Sequence, residues 1–412
     1  MTFPTRIFRA PVGVIVLLVC ALPLLSGCDE GSLNAPEVAQ SEQTDGLFNS
    51  YVAIGNSITA GFQSAGISSA TQQDSYAALL ADSAMGTPFG VPALALPGCP
   101  PPLQSFPPSP PSTNCAFRSS SAGGINNVAV PNAKVIDVLS NTDPESSPNE
   151  LTQFILGGRT QIEAALEESP TFATVWIGNN DVLSAANAGS PALATGVSTF
   201  AQRYKSLTDR LVNDAPLEGA VLIGVADVEE IPGILNGEVY FGLEQDPRIS
   251  FPNSFDVAAN CAPNPAGQGS TNQISFLFFL NQLNEAFENP TQPSGTYGVS
   301  CGGTDPGALT PGELQDLSDR ASDYNDEIEA IAEGDDNPFV FFNPNDEFSQ
   351  IAGQAPNPPA FMSQQPFGPF FSLDGVHPNS DAHRLITNRL VQLINTEFDA
   401  NLTPLENAPS LP

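Results

Sequence analysis

Two segments far apart in the chain carry side chains suited to nucleophilic chemistry. Ser57 directly follows an apolar run, and Asp374 and His377 lie in one short segment before the last helical pattern. In acyl transfer a carboxylate fixes the imidazole tautomer and the imidazole takes the proton of a hydroxyl. The chain has two histidines, and His383 falls inside the helical pattern, where a structural role is more usual. The sequence predicts Ser57 as nucleophile and His377 as base, although Ser57 taken alone would fit a helix cap better.

Two further segments place asparagines beside apolar runs. Asn180 lies in Gly178–Asp181 after an apolar run. Asn132 lies in Asn127–Ala133, and asparagine tolerates positive φ well. On these residues alone, the first segment fits a plain turn and the second fits a short core strand that ends in a turn.

Together the four segments resemble the four sequence blocks of the SGNH hydrolases, the GDSL-type family. The family patterns are Gly-Asp-Ser, Asn-x-Ala-x-x-Gly, Gly-x-Asn-Asp and Asp-x-x-His. The matching segments here, in the same order, are Gly55–Ser57, Asn127–Ala133, Gly178–Asp181 and Asp374–His377. The resemblance extends over roughly residues 50–398, and its specific part is confined to these blocks.

The resemblance implies a serine ester hydrolase that forms an acyl-enzyme and needs no metal or cofactor. The triad it implies is Ser57, His377 and Asp374. The oxyanion donors it implies are the backbone N–H groups of Ser57 and Asn132 and the side-chain amide of Asn180, a kind of preorganised donor that typically contributes a few kcal/mol. Gly98 is a rival to Asn132 for the backbone donor. The supporting positions it implies are Gly55, Asn56, Gly178 and Asp181. The substrate stays open among lipid, short-chain and carbohydrate acyl esters.

Two positions depart from the family pattern. Asn56 replaces an aspartate, so the position keeps its size but loses its charge. Asn132 replaces a glycine whose backbone N–H is the group that the family uses. Because neither is a triad position, we expect these two substitutions to adjust the activity of the site and not to abolish it. The same two substitutions leave open an alternative from another class, a non-catalytic surface binding lipoprotein that retains the scaffold.

Apolar runs and helical patterns alternate along the chain, which predicts one α/β domain. Continuous apolar runs are typical of parallel strands buried on both faces. The predicted strands are Ser50–Ile54, Asn127–Val130, Phe172–Ile177, Ala220–Val225 and Phe339–Phe342. Apolar residues spaced three and four apart predict helices, at Thr152–Glu168, Ala194–Asn213, Pro311–Glu333 and Ser380–Phe398. The resemblance adds a flavodoxin-like three-layer α/β/α sandwich whose five-stranded parallel sheet has the order 2-1-3-4-5.

Two stretches interrupt this alternation and are predicted to be loop insertions. The first, at about residues 97–125, begins with a proline-dense stretch, and the second, at 236–307, is rich in Asn, Gly and Pro. Insertions of this length are often lids or binding loops. The second contains the apolar patch Ile274–Leu280, which would be either the insertion's own core or a surface for an apolar acyl group. We expect the hydrolase domain over residues 47–400 and a C-terminal tail over 401–412.

The N-terminal residues have the pattern of an export signal. Arg6 and Arg9 precede the apolar run Val12–Leu25, which is too short and poorly flanked for a stable spanning helix. Leu25-Ser-Gly-Cys28 resembles the bacterial lipobox, in which the signal is cut before a cysteine that becomes acylated. An ordinary signal with a coincidental Cys28 is the alternative. We expect a signal peptide over 1–27, an acidic tether over 28–46 and an exported, monomeric lipoprotein of the cell envelope, anchored through lipid on Cys28.

The large negative charge of the chain disfavours some classes of binding partner. It has 45 acidic and 12 basic residues, a formal net charge of −33 at pH 7. Nucleic acid and anionic membrane surfaces are poor partners for such a field. A solvated acidic surface suited to high salt is a simpler explanation than a site for multivalent cations, because no clustered Asp-x-Asp-x-Asp-Gly loop is present.

Four cysteines remain outside the predicted signal and lipid site: Cys99, Cys115, Cys261 and Cys301. An even number in an exported chain predicts disulfides. Three pairings exist, and the simplest joins nearest neighbours, Cys99 with Cys115 and Cys261 with Cys301. A zinc site is disfavoured because no Cys-x-x-Cys pair exists and both histidines lie far away in the sequence.

Overall fold

Nine strands and thirteen α-helices make up the part of the chain that the computed structural model describes, residues 46–85, 89–106, 124–335 and 337–411. The strands are β1 (Tyr51–Gly55), β2 (Phe172–Trp176), β3 (Gly219–Ile223), β4 (Ile234–Asn236), β5 (Phe255–Val257), β6 (Gln273–Ser275), β7 (Tyr297–Val299), β8 (Ala308–Leu309) and β9 (Phe339–Phe342). The helices are α1 (Ser57–Ala60), α2 (Ser69–Gln73), α3 (Tyr76–Ala84), α4 (Val135–Leu139), α5 (Glu150–Leu156), α6 (Gln161–Glu167), α7 (Asn179–Ala188), α8 (Val197–Asp214), α9 (Gly237–Gln245), α10 (Phe276–Glu288), α11 (Pro311–Ala332), α12 (Asn345–Ala352) and α13 (Ser380–Glu397).

A parallel sheet with the strand order β1-β2-β3-β9 forms the centre of the fold. Every residue of β1, β2 and β3 is buried, as expected for parallel strands that carry helices on both faces. Four of the five predicted strands therefore occur at their predicted places. The predicted α/β fold class is confirmed.

The predicted strand Asn127–Val130 is not a regular strand, and the sheet has four strands rather than five. The segment lies beside β1 and forms one parallel bridge, between Asn127 and Ala53. The N–H groups of Val128 and Val130 donate to the carbonyl oxygens of Ala53 and Gly55. In the other direction the Ala53 N–H donates to the Asn126 carbonyl oxygen at 2.9 Å, but the Gly55 N–H donates to the side-chain oxygen of Gln161, at 3.0 Å, and does not continue the ladder. The segment therefore keeps the predicted place at the β1 edge without completing a ladder.

Two hydrophobic layers flank the sheet because successive strand residues point to opposite faces. Tyr51 and Ala53 of β1 pack with residues of α3 and α13. Val52 and Ile54 pack with residues of α4, α6, α8 and α11. The helices thus form one layer on each side, as in the predicted α/β/α sandwich.

The predicted helix Thr152–Glu168 is instead two helices, α5 and α6. Gly157 ends α5 in the left-handed region, with φ 65°, and the next residue, Gly158, has φ 92°. Thr160 then starts α6, its hydroxyl accepting a hydrogen bond from the Glu163 N–H at 3.2 Å. The other three predicted helices correspond to α8, α11 and α13, with ends shifted by at most a few residues.

The insertion at 236–307 contains regular structure of its own. Its strand β6 pairs antiparallel with β4 and β8, which lie at its two ends, and β5 pairs with β7. The apolar patch Ile274–Leu280 supplies its core, since Phe276 and Phe279 are fully buried and stack at 5.5 Å between ring centroids. Within this patch, the structure supports the insertion's own core over an acyl-binding surface.

A disulfide joins Cys261 to Cys301, as predicted. Cys99 is also disulfide-bonded, and its predicted partner Cys115 lies outside the described residues. The predicted signal peptide, Cys28 and nearly all of the tether fall in residues 1–45, which are outside the described ranges as well. Those assignments and the predicted domain limits stay predictions. Over the described ranges, none of the helices combines the length and apolar character needed to cross a bilayer.

Candidate active site

Ser57 lies where β1 meets the first helix. It is the first residue of α1, and the side-chain oxygen of Asn56 accepts a hydrogen bond from the Ile58 N–H at 3.1 Å. Asn56 rather than Ser57 therefore caps the helix, and the Ser57 hydroxyl is not used as a cap. The N–H of Ser57 occupies the first helical position, where an α-helix offers no internal acceptor. Neither the hydroxyl nor the backbone N–H of Ser57 is thus needed for a hydrogen bond that forms the helix.

Gly55 fixes the end of β1 through close packing. A Cβ atom at this position would lie 2.2 Å from Thr59 Oγ1 and 2.7 Å from the backbone oxygen of Trp176. Both distances are below contact distance for a real side chain. The absence of a side chain therefore lets the strand end, and with it Ser57, sit tightly against β2.

Ser57, His377 and Asp374 form one hydrogen-bonded chain. The Oγ atom of Ser57 lies 2.9 Å from Nε2 of His377, across 320 positions of sequence. Nδ1 of the same ring lies 2.9 Å from Oδ2 of Asp374. All three side chains are buried or nearly so. These distances are within the range for a nucleophile, its base and the group that orients the base.

The carboxylate of Asp374 is held in its charged form by five donors. Oδ1 accepts from the Ser372 hydroxyl and from the N–H groups of Val376 and His377, and Oδ2 accepts from the Ala65 N–H and the His377 ring. Burial would raise the pKa of Asp374, but the charge of His377 and these hydrogen bonds outweigh it and lower the pKa to about 2. A permanent negative charge therefore faces the imidazole.

A tight turn at Ser64 and Ala65 supplies part of this environment. Both residues have left-handed backbones, with φ 54° and φ 55°. The Ala65 N–H donates to Asp374 at 2.6 Å, and the Ser64 N–H donates to the Ser372 hydroxyl at 2.8 Å. The sequence did not predict this turn. The turn acts through backbone N–H groups, and the types of its side chains do not indicate that role. The only available signal for Ser372 was its place two residues before Asp374.

Asn180 and Asn132, the two predicted oxyanion donors, meet at one turn. Asn180 is the second residue of α7, and its Nδ2 donates to the carbonyl oxygen of Ala133 at 3.0 Å. Asn132 precedes Ala133 and has φ 67°, the left-handed conformation predicted for it. Its side chain is exposed. The rival donor Gly98 already uses its N–H on the Ala95 carbonyl, at 2.9 Å.

The sequence model of one protein family, described as GDSL-like Lipase/Acylhydrolase, matches residues 51–390. The matched segment includes the elements that carry Ser57, Asn132, Asn180 and the Asp374–His377 pair. The chain belongs to this family. It is accordingly an enzyme that hydrolyses carboxylic ester bonds.

Solved structures of two ester hydrolases resemble this family member at low identity. A mutant of Axe2, an acetyl-xylooligosaccharide esterase from Geobacillus stearothermophilus, has 12% identity and a TM-score of 0.38, with 84% of this chain and 94% of that chain covered. An extracellular lipase from Streptomyces rimosus has 14% identity and a TM-score of 0.34, with 81% and 94% covered. No curated protein matches the sequence. The family membership rests on the family model and not on these structures.

Two residues of the segment Gly178–Asp181 hold α7 in place in this acylhydrolase. Asp181 is fully buried and accepts from the Val135 N–H at 3.0 Å and the Thr195 hydroxyl at 2.8 Å. Burial raises the pKa of Asp181 to about 6, although both hydrogen bonds act in the opposite direction. Gly178 precedes the helix with φ 120°, a conformation that favours glycine. The two residues position Asn180 without contacting Ser57.

A small, partly enclosed cavity borders Ser57 and His377 of the acylhydrolase. Ser57, Asn180 and His377 lie on its wall, and Asn132 does not. The other lining residues are mostly apolar: Ile58, Asn179, Val182, Leu183, Ala226, Val228, Ile231, Phe348 and Val376. A group bound here would contact the serine hydroxyl, the imidazole and the Asn180 amide together.

The second histidine, His383, belongs to the core. It is fully buried, and its Nδ1 accepts a hydrogen bond from the Tyr76 N–H at 3.1 Å. Burial lowers the pKa of His383 to about 3, so the ring is neutral near pH 7. The interaction fastens α13 to α3, which is a structural role.

Proposed function

We propose that this enzyme hydrolyses carboxylic esters through an acyl-enzyme on Ser57, with His377 as general base and acid and Asp374 as the group that orients it. The observation that carries the proposal is the pair of 2.9 Å contacts from Ser57 Oγ to His377 Nε2 and from His377 Nδ1 to Asp374 Oδ2. The five donors around Asp374 support it, because they keep that carboxylate ionised.

In the first half-reaction the Ser57 oxygen attacks the ester carbonyl carbon while His377 takes its proton. The carbonyl oxygen becomes an oxyanion, for which we propose the N–H groups of Ser57 and Asn132 and the Asn180 amide as donors. One hydrogen of the Asn180 amide bonds the Ala133 carbonyl, which fixes the side chain and leaves the other for the oxyanion. His377 then gives its proton to the departing alkoxide, so an alcohol leaves and the acyl-enzyme remains.

In the second half-reaction water replaces the alcohol. His377 takes a proton from the water as it attacks the acyl carbon, and then returns a proton to Ser57 Oγ as the carbon–oxygen bond breaks. A carboxylic acid is released and the serine hydroxyl is restored. Asp374 stabilises the imidazolium in both halves without taking its proton.

Replacement of Ser57 by alanine tests the proposal. We expect Ser57→Ala to lower kcat for p-nitrophenyl acetate by about 10⁴-fold or more, because the nucleophile is lost. Ser206→Ala, which truncates an exposed serine on α8, is the matched control and should keep full turnover. A Ser57→Ala variant that folds, as judged by circular dichroism, and retains normal turnover would contradict the proposal.

We also propose that the enzyme is an exported lipoprotein held at a membrane by lipid on Cys28. The support is the position of the lipobox-like tetrapeptide at the end of an apolar signal sequence. In a bacterial host, the full-length chain should partition with membranes and incorporate labelled fatty acid, whereas Cys28→Ser should be released and unlabelled. Equal membrane association and labelling of both chains would contradict the assignment.

The non-catalytic binding lipoprotein is not favoured by any observation at the site. The two substitutions that suggested it leave the relevant groups in place. Asn56 caps α1 with the same type of acceptor that an aspartate would provide, and Asn132 presents a backbone N–H in the left-handed conformation.

A further inference from the structure

The cavity beside Ser57 is small. Its volume is about 30 Å³, and since one water needs about 10–15 Å³, it has room for about two atoms the size of a water oxygen. A larger groove of about 650 Å³ is lined by residues of the insertion and of the segment 357–363, but not by Ser57 or His377. Of these two spaces, only the small cavity adjoins a group attached to Ser57.

The walls of the small cavity are held by core packing. Phe348 is almost fully buried and packs against Trp176 and Phe371, each at 6.2 Å between ring centroids. Val376 belongs to the triad loop, and its N–H bonds the Asp374 carboxylate at 2.9 Å. Widening the cavity at either place would disturb the core or the triad. The cavity is thus resistant to expansion by a longer ligand.

The leaving alcohol fits poorly in so small a cavity. After acylation the alcohol must diffuse away and water must reach the acyl carbon, and both steps are easier from the open side of the cavity than from inside it. The acyl chain, in contrast, stays attached to Ser57 between the two half-reactions. The partly enclosed space therefore suits the acyl chain, and the alcohol lies on the open side.

From this geometry we infer that the enzyme is selective for short, uncharged acyl groups, of about two to three carbons including the carbonyl. The inference rests on the proposed function and names its substrate class, the acetyl and propionyl esters of alcohols whose size the cavity does not limit. Apolar walls exclude a charged acyl group, because its charge would be buried without a partner. The limit on chain length is assigned to Ile231, which lines the cavity and is 8% exposed.

A chain-length series tests the inference. With p-nitrophenyl acetate, butyrate, hexanoate and octanoate, we expect kcat/KM to fall at least about tenfold from acetate to hexanoate, since methylenes that do not fit are each worth about tenfold or more. Ile231→Ala removes three carbons from the wall. It should raise the ratio of hexanoate to acetate kcat/KM at least about tenfold, and Ile231→Val should raise it less. An acetate series with growing alcohols should show no corresponding decline.

Ile249→Ala is the matched control, because Ile249 is also 8% exposed but lines the larger groove. It should leave the chain-length ratio unchanged. Octanoate turned over as fast as acetate by the wild-type enzyme, or a decline in the alcohol series instead of the acyl series, would overturn the inference and leave the proposed function intact. Failure to turn over any ester in either series would contradict the proposed function itself.

Discussion

At the scale of single residues, the site is defined by what surrounds the triad as much as by the triad. His377 and His383 have the same side chain, but one bridges a hydroxyl and a carboxylate while the other accepts a backbone N–H in the core. Asp374 and Asp181 are both fully buried, yet the pKa of Asp374 is lowered and that of Asp181 is raised. The difference is a neighbouring imidazole and a larger set of donors at Asp374.

The charge on Asp374 leads to a prediction about activity and acid stability. Asp374→Asn should lower kcat by about 10⁴-fold, because an amide cannot hold the imidazole in the required tautomer. The folded pKa of about 2 lies below the ordinary value of 3.8. This contribution to stability is therefore present above pH 3.8 and is lost as the pH falls through about 2. It amounts to about 2 kcal/mol.

Kinetic assays and urea unfolding at a series of pH values check this prediction. The difference in the free energy of unfolding between wild type and Asp374→Asn should shrink between pH 4 and pH 2 and stay constant above that range. Asp381→Asn, an exposed carboxylate in the first turn of α13, should keep kcat. A constant difference across the acid range would show that Asp374 has an ordinary pKa.

At the scale of elements, short turns place the candidate catalytic groups at one edge of the sheet. The Gly55–Ser57 junction ends β1, the segment Gly178–Asp181 follows β2, and the turn at Ser64 and Ala65 reaches across to the loop before α13. Carboxyl ends of parallel strands meet at one edge, which is where α/β enzymes bind their ligands. Three non-glycine residues at the site, Ser64, Ala65 and Asn132, have left-handed conformations.

The turn leads to a prediction about stability. Ala65→Gly should keep the backbone N–H that Asp374 accepts and relieve the left-handed strain of a side chain. We expect the free energy of unfolding to rise by about 0.5–1 kcal/mol with kcat unchanged. Ala330→Gly, at an exposed position inside α11, is the matched control and should lower it by about 1 kcal/mol.

Chemical denaturation and turnover assays on both variants test whether the turn is strained and whether the Ala65 side chain affects activity. A loss of stability in Ala65→Gly equal to that in Ala330→Gly would mean that the turn carries no strain. A fall in kcat for Ala65→Gly at unchanged stability would mean that the side chain of Ala65, and not only its N–H, contributes to the site.

At the scale of the whole molecule, the sequence predicted the features that depend on side-chain pattern. Continuous apolar runs located four parallel strands, and three of the four short blocks contain residues that lie together beside Ser57. The differences from the prediction have causes in the backbone. The Gly55 N–H bonds to Gln161 instead of continuing a ladder with the predicted fifth strand, and Gly157 in the left-handed region divides a predicted helix.

The insertion at 236–307 was recognised but its structure was not predicted. Its strands β4 to β8 have at most three residues each, too few for an alternating pattern to be distinguished from a loop. The turn at Ser64 and Ala65 was missed for a related reason, because only a backbone conformation carries its function. The predicted disulfide between Cys261 and Cys301 is the part of this region that the sequence located correctly.

The central claim is that Ser57 is made nucleophilic by His377, and mass spectrometry of a fluorophosphonate-labelled enzyme tests it most directly. Labelling should place one phosphonyl group on the peptide containing Ser57, and should proceed normally in folded His383→Asn but not in His377→Asn. A label on another serine, or equal labelling of His377→Asn and the wild type, would contradict the account.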